Sequence, residues 1–407
     1  MNKTLRFLLF ISIIVLAFNG QAQLVQSYTT ENSPLPFNTI RCLETSLSNI
    51  WIGTDQGLAK LENGTSWTVF NVTNSGLLDD DIRALKNDGD SVLWVGTVQG
   101  GLFKYDGITW SNYTPLNSGL GDFLVRAIDV DNTGGIWVAT TEGIYVFDRT
   151  SWYSFTSNDG LLSNNITSIG IGESTKYVGT INGGLLYFDA DNNYTNHTII
   201  NSELPDNSVL DIQIDSSGKV WFISPAAGLI LDDGFGGPWN IFNANNSPIE
   251  SNSLLCMQHG MQDQIYIGTE TGGIVTKTSN QYTHLNTENS DLTDNHILCL
   301  KYDSNNTLWA GTFNGGLCRI SELSHLSESI RKKVTVYPNN VRPGERLNFS
   351  EAISGDYFFM STLGDELKKG ELTHSKGLTI PNNLKTGIVF LYLKVGDYNY
   401  IKKLLVQ

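Results

Sequence analysis

The feature that most constrains this chain is an internal repeat. Seven segments place an apolar residue and an aromatic residue before a small-residue pair and a turn, as in IWIGTDQGL and LWAGTFNGGL. Consecutive copies lie 40 to 45 residues apart, a period typical of solenoids and β-propellers. The aromatic anchors are Trp51, Trp94, Trp137, Tyr177, Trp221, Tyr266 and Trp309.

Each repeat contains four short stretches with strand character. An alternating apolar stretch such as NTIRCLET precedes the aromatic stretch, and stretches such as GLFKYDG and SWTVFNVT complete the unit. Four short strands per repeat are typical of a propeller blade. Paired glycines such as Gly100-Gly101 supply the backbone freedom that tight hairpins need. We therefore predict an all-β fold, a seven-bladed β-propeller.

The N-terminal segment is predicted to close the ring. The seventh repeat stops after its third strand, at GGLCRIS, and so lacks an outer strand. The segment LVQSYTTENS near the N-terminus is similar to HLNTENS in the outer strand of the sixth repeat. We expect this N-terminal strand to complete the last blade, because closure pairs strand edges that otherwise promote aggregation.

The two ends of the chain differ from the repeats. Residues 1–22 carry Lys3 and Arg6, an apolar run and a small-x-small site, which predicts a signal peptide. We expect the propeller at residues 23–329 and a small β-sandwich-like domain at residues 330–407. No later stretch reaches about 18 apolar residues, so no transmembrane helix is predicted. The net charge of −15 argues against a nucleic-acid partner, which requires a basic surface.

The repeat resembles a known family. Its pattern N-x-[IV]-x-x-[IL], followed by D-x-x-G-x-[IL]-W-[IV]-G-T-x-x-G-G-L, is similar to the regulator-propeller repeats of Bacteroidetes two-component sensors. The resemblance covers residues 33–320. It implies a propeller outside the inner membrane that senses polysaccharide fragments. Those sensors carry a fused histidine kinase, and this sequence contains none.

The C-terminal region resembles the type A sorting domain of the type IX secretion system. The similar segments are VTVYPNNV near its start and TGIVFLYLKVGDYNYIKKLLVQ at its end. The usual Tyr-Pro-Asn-Pro opening here ends in Asn340. The resemblance implies export across the outer membrane by the type IX machinery, followed by removal of this domain as the protein is released or attached. We therefore expect a secreted or cell-surface protein.

Polar turn residues mark one face of the predicted propeller. The turn between the second and third strands of a blade shares a face with the loop that enters the next inner strand, and this face usually carries the binding site. Carboxylates, amides and one imidazole at these positions suit a hydroxyl-rich ligand. The alternative is that polar residues simply fill hairpin turns. The candidate ligand-binding residues are Asp55, Gln56, Gln99, Glu142, Asn182, Glu270, Asn314 and His296.

Three arginines form a second candidate group. Arg41, Arg83 and Arg126 occupy the same inner-strand position in consecutive repeats, so we expect them to cluster at one side of the channel mouth. Clustered guanidinium groups suit a carboxylate or sulfate on a glycan. The favoured alternative is pairing with the nearby carboxylates of Asp80, Asp81 and Asp122.

Neither a metal nor a cofactor is predicted. Cys42, Cys256 and Cys299 share one inner-strand position, and we interpret them as small residues at a crowded site rather than as a three-thiolate metal site. Adjacent blades should hold their Cα atoms too far apart for a disulfide. Asp-rich segments resemble calcium loops but fall where the first hairpin of a blade turns, so we interpret them as turns; they begin at Asp129, Asp215 and Asp303.

Three function classes remain open from sequence. The leading hypothesis is a non-enzymatic propeller that binds a glycan or a protein partner, which would expose aromatics such as Phe123 and Phe313 beside amides. A polysaccharide or lactone lyase or hydrolase would need perturbed ionisable groups at the channel mouth, and His259 and His296 are a candidate pair. A structural component of the type IX machinery would expose an apolar patch on one rim. We assign no catalytic residue.

Overall fold

The structure is a computed structural model. It describes residues 24–407 except 47–48, 90–91, 216, 234–237, 261–263, 280, 322–335, 339, 362–365 and 396–397. The predicted signal peptide lies outside the described residues. Among the described residues, the helical content is one 3-10 turn at Ser157–Asp159, and no helix is long and apolar enough to span a membrane.

The repeat region folds into seven four-stranded antiparallel sheets within the described residues, which confirms the predicted propeller. The second strand of a blade, such as Leu93–Thr97 or Ile136–Thr140, is buried throughout because neighbouring blades cover both of its faces. The outermost strand, such as Ser66–Phe70, is only half-buried or exposed. Burial therefore decreases from the second strand of each blade towards the rim.

Blades 1 to 4 follow one another along the chain, each running from the channel outwards. Their strands are β2 (Ile40–Ser46), β3 (Asn49–Thr54), β4 (Gly57–Glu62) and β5 (Ser66–Phe70) in blade 1, β6 (Ile82–Asn87), β7 (Leu93–Thr97), β8 (Leu102–Tyr105) and β9 (Trp110–Tyr113) in blade 2, β10 (Val125–Val130), β11 (Ile136–Thr140), β12 (Ile144–Phe147) and β13 (Trp152–Phe155) in blade 3, and β14 (Ile166–Ile171), β15 (Lys176–Thr180), β16 (Leu185–Phe188) and β17 (Tyr194–His197) in blade 4.

Blades 5 to 7 continue the ring, and the N-terminal strand β1 (Leu24–Tyr28) belongs to the last of them. Their remaining strands are β18 (Asp211–Ile214), β19 (Val220–Ser224), β20 (Gly228–Asp232) and β21 (Asn240–Phe242) in blade 5, β22 (Leu254–His259), β23 (Ile265–Thr269), β24 (Ile274–Lys277) and β25 (Tyr282–Leu285) in blade 6, and β26 (Ile297–Tyr302), β27 (Thr307–Thr312) and β28 (Leu317–Ser321) in blade 7.

Strand β1 closes the ring as predicted. It pairs antiparallel with β28, with Leu24 opposite Ser321 and Tyr28 opposite Leu317. The Tyr28 ring stacks 6.3 Å from the Trp309 ring of blade 7 and meets the edge of the Trp67 ring of blade 1 at 5.5 Å. One aromatic side chain thus links the last blade to the first.

In the Asp-rich turns, an aspartate carboxylate accepts a hydrogen bond from the anchor tryptophan of the same blade. In blade 3, Asp131 accepts bonds from the backbone N–H groups of Thr133 and Gly135 and from Nε1 of Trp137 at 2.8 Å. Burial by itself raises the pKa of Asp131, but these hydrogen bonds outweigh it and lower the pKa. Asp215 and Asp303 accept the same kind of bond from the indole N–H groups of Trp221 and Trp309. These carboxylates are therefore occupied within their own blades, which agrees with turns rather than calcium loops.

The C-terminal strands form one curled six-stranded sheet. Its order is β29-β31-β33-β34-β30, with β32 paired to the free side of β31. Register shifts inside the long β31 let its two halves pair with different partners, which wraps the sheet around Leu347, Phe359, Leu391 and Leu404. The strands are β29 (Val336–Tyr337), β30 (Asn340–Val341), β31 (Arg346–Met360), β32 (Glu366–Thr379), β33 (Gly387–Val395) and β34 (Tyr398–Val406).

Candidate functional site

One face of the propeller, which we call the entrance face, is built from seven equivalent loops and the turns beside them. These entrance loops lead into the inner strands at 29–39, 71–81, 114–124, 156–165, 198–208, 243–253 and 286–296. The turn after the second strand of one blade bonds to the loop of the next, as from Gly57 N–H to the Asp80 carbonyl and from Gly101 N–H to the Phe123 carbonyl. Turns and loops therefore lie together, as the sequence predicted.

Each entrance loop has the same internal brace. In all seven described loops, the first N–H donates to a side-chain oxygen three residues later, at 2.7–3.0 Å. Each loop also buries one aliphatic side chain, such as Leu77 or Leu120. The brace and the buried side chain hold the loop backbone, so the residues at the loop tips are free to vary.

A backbone irregularity delivers the three arginines to the channel mouth. A β-bulge interrupts the pairing between Ile40 and Cys42, and equivalent bulges occur in the inner strands of blades 2 and 3. Arg41, Arg83 and Arg126 are the extra residues at these bulges. A bulge redirects a side chain away from the sheet normal, which explains how arginine is tolerated in a strand whose neighbours are buried.

Carboxylates neutralise two of the arginines. Arg41 donates from Nε and a terminal nitrogen to both oxygens of Asp55, at 2.6 and 2.9 Å. Arg83 pairs with Asp81 at 2.7 Å and lies 3.8 Å from Asp55. The hydrogen bond that Arg41 donates to Asp55 raises the pKa of Arg41 despite the opposing effect of burial. Of the predicted partners, Asp81 pairs with Arg83. Arg41 pairs instead with Asp55, which was predicted as a ligand residue and not as an arginine partner.

Arg126 differs from the other two. Its guanidinium donates to the side-chain oxygen of Asn165 at 2.5 Å, and no carboxylate pairs with it among the described residues. Burial lowers the pKa of Arg126, and the charge of Asp122 offsets this only in part. Asp122 accepts bonds from Thr141, and Asp80 accepts from Val72 N–H, so the predicted roles of these two aspartates as arginine partners are wrong.

An exposed aromatic ring lies beside this network. The Phe313 ring is 38% exposed and stacks on the His296 imidazole, with ring centroids 4.9 Å apart. The guanidinium carbon of Arg41 lies 5.9 Å from the centre of the Phe313 ring. We call His296, Phe313, Arg41, Asp55, Arg83 and Asp81 the mouth cluster. It joins blades 7, 1 and 2 on one side of the entrance.

The remaining predicted ligand residues are exposed turn residues. Their backbone N–H groups brace the entrance face: Gln99 and Asn314 donate to Asp79 and Asp294, at 2.6 and 2.9 Å. Their side chains are exposed to solvent. This agrees with the alternative that polar residues fill turns, and it leaves these side chains available to a ligand. The residues are Gln56, Gln99, Glu142, Asn182, Glu270 and Asn314.

Below the mouth, the inner strands of all seven blades surround a cavity of about 440 Å³. Two ion pairs line one half of it, from Lys301 to Glu44 at 2.8 Å and from Lys86 to Asp129 at 2.5 Å. All four residues lie opposite an anchor tryptophan in the strand register. These four residues were not predicted, although aligning the inner strands on the anchor tryptophans places them at equivalent positions.

Asp211 occupies the other half of the channel. One of its carboxylate oxygens accepts from Ile212 N–H at 2.9 Å and the other from Met257 N–H at 2.8 Å. No cation pairs with it among the described residues. It touches the cavity but is otherwise surrounded by protein, and this burial raises the pKa of Asp211 to about 6, against the lowering effect of its two backbone bonds.

We expect Asp211→Asn to stabilise the protein only above the pKa of this carboxyl. Raising the pKa from 3.8 to about 6 makes the folded state bind the proton more tightly, so stability falls as pH rises through that window, by roughly 3 kcal/mol at pH 7.5. Asparagine removes the charge but loses one backbone bond, which costs about 1 kcal/mol.

Urea unfolding of both proteins at several pH values checks this expectation. The variant should be more stable than the parent by about 2 kcal/mol at pH 7.5 and less stable by about 1 kcal/mol at pH 4. A difference in unfolding free energy that is the same at both pH values would contradict it.

The thiols of the inner-strand cysteines, which lie in the wall of the cavity, contact the next blade. The thiols of Cys42, Cys256 and Cys299 lie 3.8, 3.8 and 3.6 Å from the first inner-strand carbonyl of the next blade. Burial raises the pKa of each thiol, which keeps it protonated as a donor. Thr167 bonds to the Val209 carbonyl in the same way in blade 4. All four cysteines are free, and the described residues contain no group of three potential metal ligands.

The proposed histidine pair is not assembled. All inner strands run away from the entrance face, and His296 precedes β26 while His259 is the last residue of β22. A strand of six residues separates the two ends by roughly 17 Å. His259 packs edge-on against Trp221, at 6.2 Å between ring centres. The hypothesis that the two histidines act together is therefore wrong.

The described residues define an architecture: a seven-bladed propeller with a braced entrance face, followed by a curled C-terminal sheet. Residues 291–314, which hold the second half of the loop between blades 6 and 7 together with β26 and β27, match the family described as Two component regulator propeller. No curated protein matches the sequence at a significant level.

Solved structures share the architecture. The extracellular domain of BT3049 from B. thetaiotaomicron, described as a hybrid two component system, superimposes with a TM-score of 0.64 at 17% identity over 94% of this chain. PorZ, a surface component of the type-IX secretion system of Porphyromonas gingivalis, gives 0.60 at 18% identity over 91% of this chain. The alignments cover 57% and 60% of those chains, so this chain spans less than two-thirds of their length.

A lyase shares the propeller as well. A streptogramin B lyase superimposes with a TM-score of 0.59 at 14% identity, over 73% of this chain and 97% of its own. Identities this low show the fold alone, because propellers support enzymes and binding proteins alike.

Proposed function

We propose that the entrance face is a recognition site for a neutral, hydroxyl-rich glycan. The observation that carries this proposal is the exposed Phe313 ring, which is held by stacking on His296 and flanked by Arg41. A sugar ring presents an apolar C–H face to an aromatic ring and hydroxyls to its surroundings. A few convergent polar groups around an apolar surface are the usual composition of a small-ligand site.

The charges of the mouth cluster favour a neutral ligand over an acidic one. Arg41 and Arg83 are matched by Asp55 and Asp81, so these four groups carry no net charge. Each guanidinium has five N–H donors, and the carboxylates do not use all of them. The unused donors and the exposed amides of Gln56 and Asn314 suit hydroxyl groups. A sulfate or carboxylate at these two arginines would instead be repelled by the charges of Asp55 and Asp81.

We expect Phe313→Ala to weaken glycan binding by about tenfold to thirtyfold, because loss of an aromatic contact at a site centre costs about 1.5–2 kcal/mol. The full chain is screened on a glycan array, and the affinity of each hit is measured by calorimetry. Ile181→Ala is the matched control, because Ile181 occupies the equivalent turn position in blade 4, across the channel.

The outcomes are distinct. Equal losses in the two variants would mean that the mouth cluster is not the site. Binding of acidic glycans alone would contradict the argument from charge. Cleavage of a bound glycan would show that the site is catalytic and does not only bind. An array on which no glycan binds would exclude glycans as the ligand class.

We also propose that residues 330–407 form an export and attachment signal for the type IX secretion machinery, which places the protein outside the cell. The resemblance of the two end segments supports this, and PorZ is a component of that system. In a bacterium that has the system, the full chain should reach the cell surface or the medium. A chain that ends at residue 329 should stay in the periplasm, and its export would contradict the proposal.

A further inference from the structure

Aliphatic side chains are exposed along one arc of the entrance face. We call Val72, Leu78, Leu116, Leu162, Ile199 and Ile200 the aliphatic arc. They are 44% to 91% exposed, with Leu116 at 87% and Ile200 at 91%. They lie on the four consecutive entrance loops between blades 1 and 5. The arc and the mouth cluster share only the loop 71–81, which holds Asp81, and the exposed aromatic ring of the mouth cluster belongs to a turn in blade 7.

The fold does not require these side chains. All seven entrance loops have the same brace and each buries one aliphatic residue, yet the tips of the other three loops carry no large apolar side chain: they are Thr30-Glu31, Ala244-Asn245 and Thr287-Glu288. Leu78 in the loop 71–81 is replaced by Glu250 at the equivalent position of the loop 243–253. The repeat thus supplies an internal comparison: the same loop forms with polar residues. An exposed apolar patch without a structural cause marks an interaction site.

The negative charge of the four loops that carry the arc favours a partner with a basic surface. The four loops of the arc contain seven carboxylates, at 79, 80, 81, 122, 159, 203 and 206, and no lysine, arginine or histidine. Among the described residues only Asp81 of these seven forms an ion pair, with Arg83. The protein as a whole has a net charge of −15. A second copy of this chain or an anionic lipid surface would be repelled, whereas a basic surface would be attracted.

From this juxtaposition of exposed aliphatic tips and unpaired carboxylates, we propose that the arc docks a protein partner that presents aliphatic side chains bordered by lysine or arginine. The aliphatic tips provide the anchors that a partner buries, and the surrounding carboxylates select a basic rim and steer its approach. The arc faces the same side as the channel mouth, so a partner on the arc leaves blades 6 and 7 open.

The probe for this proposal is an amphipathic helical peptide of leucine and lysine only, used with the full chain. Two further peptides separate the contributions: one has glutamate in place of lysine, and the other has glycine in place of leucine. The test variant is Leu116→Gln/Ile200→Gln. Its matched control, Thr30→Gln/Thr287→Gln, places the same side chain on the polar loops, where both threonines are exposed.

The leucine-lysine peptide should bind the parent and the control equally, and the test variant at least tenfold more weakly, as measured by fluorescence anisotropy. Binding should weaken as salt is raised from 50 to 500 mM, because salt screens the exposed charges. The other two peptides should bind at least tenfold more weakly than the first. Thermal unfolding should be the same for all three proteins, because the substitutions lie at exposed loop tips.

Several results would overturn the proposal. Equal affinity of the peptide for the parent and the test variant would show that the arc is not the docking surface. Tighter binding of the glutamate peptide would contradict the basic partner. If the parent sediments as a dimer and the test variant as a monomer, the arc is covered by a second copy instead. Binding of the parent, but not of the test variant, to phosphatidylcholine vesicles would point to a membrane.

Discussion

A chain that begins at residue 30 is expected to lose most of the folding stability of a chain that begins at residue 23. The deletion removes β1, which supplies five paired residues to β28 and buries Val25 and Tyr28. Burial of two such side chains contributes about 1.5–3 kcal/mol each, and the lost strand pairing adds to this. The sum is comparable with a typical total stability of about 5–15 kcal/mol.

Tyr28 makes the expected loss larger than that of an ordinary edge strand. Its ring contacts Trp309 in blade 7 and Trp67 in blade 1, so the deletion also opens the junction where the ring closes. The exposed edge of β28 should then promote aggregation.

Urea unfolding and light scattering of the two chains check this expectation. A synthetic peptide of residues 23–31 should partly restore the shortened chain, because it can pair with β28 in trans. The control is Gln26→Ala, which changes a half-buried side chain within the same strand. An unchanged urea midpoint for the shortened chain would show that the ring does not depend on this strand.

Gly311→Ala is expected to destabilise the protein by about 2–3 kcal/mol, because it overpacks the junction between blades 7 and 1. A Cβ at this position would lie 2.6 Å from Cγ2 of Ile40 and closer still to Sγ of Cys299. Both neighbours are held in place: Ile40 is fully buried, and the Cys299 thiol bonds to the Ile40 carbonyl.

Blade 3 contains the compensating pair. There Ala127 and Ala139 occupy the positions that Cys299 and Gly311 occupy in blade 7, since each pair is opposed in its own ladder. The double variant Cys299→Ala/Gly311→Ala should therefore be more stable than the sum of the two single variants predicts, by about 1 kcal/mol or more. Denaturant unfolding of the parent and the three variants gives this coupling. A coupling energy of zero would show that the thiol does not limit the space.

The repeats explain why the fold was predictable. Strand order, blade number and ring closure follow from a period that the aromatic anchors mark directly, and the N-terminal strand could be recognised because it copies the outer strand of another blade. The brace of the entrance loops was not predicted, although six of the seven loops carry an Asn-Ser segment at the position that closes it. These are local patterns, and a repeat displays each of them several times.

The site depended on contacts between blades, which no local pattern reports. The arginines occupy equivalent positions and were therefore predicted to converge, but each has a different partner. Arg41 pairs with Asp55 of its own blade, and Arg83 pairs with Asp81, just before its own strand. Arg126 donates to Asn165, at the entrance to the next blade. The two histidines come from adjacent blades, yet they lie at opposite ends of their strands.

The sequence by itself determined that this chain is a propeller with a closed ring, because a hydrophobic period is a property of consecutive residues. Only the tertiary structure decided which charges remain unpaired and which apolar side chains remain exposed. Among the described residues no cation pairs with Asp211, and aliphatic side chains on four entrance loops stay exposed. Pairing and burial depend on what neighbouring blades place within a few ångströms.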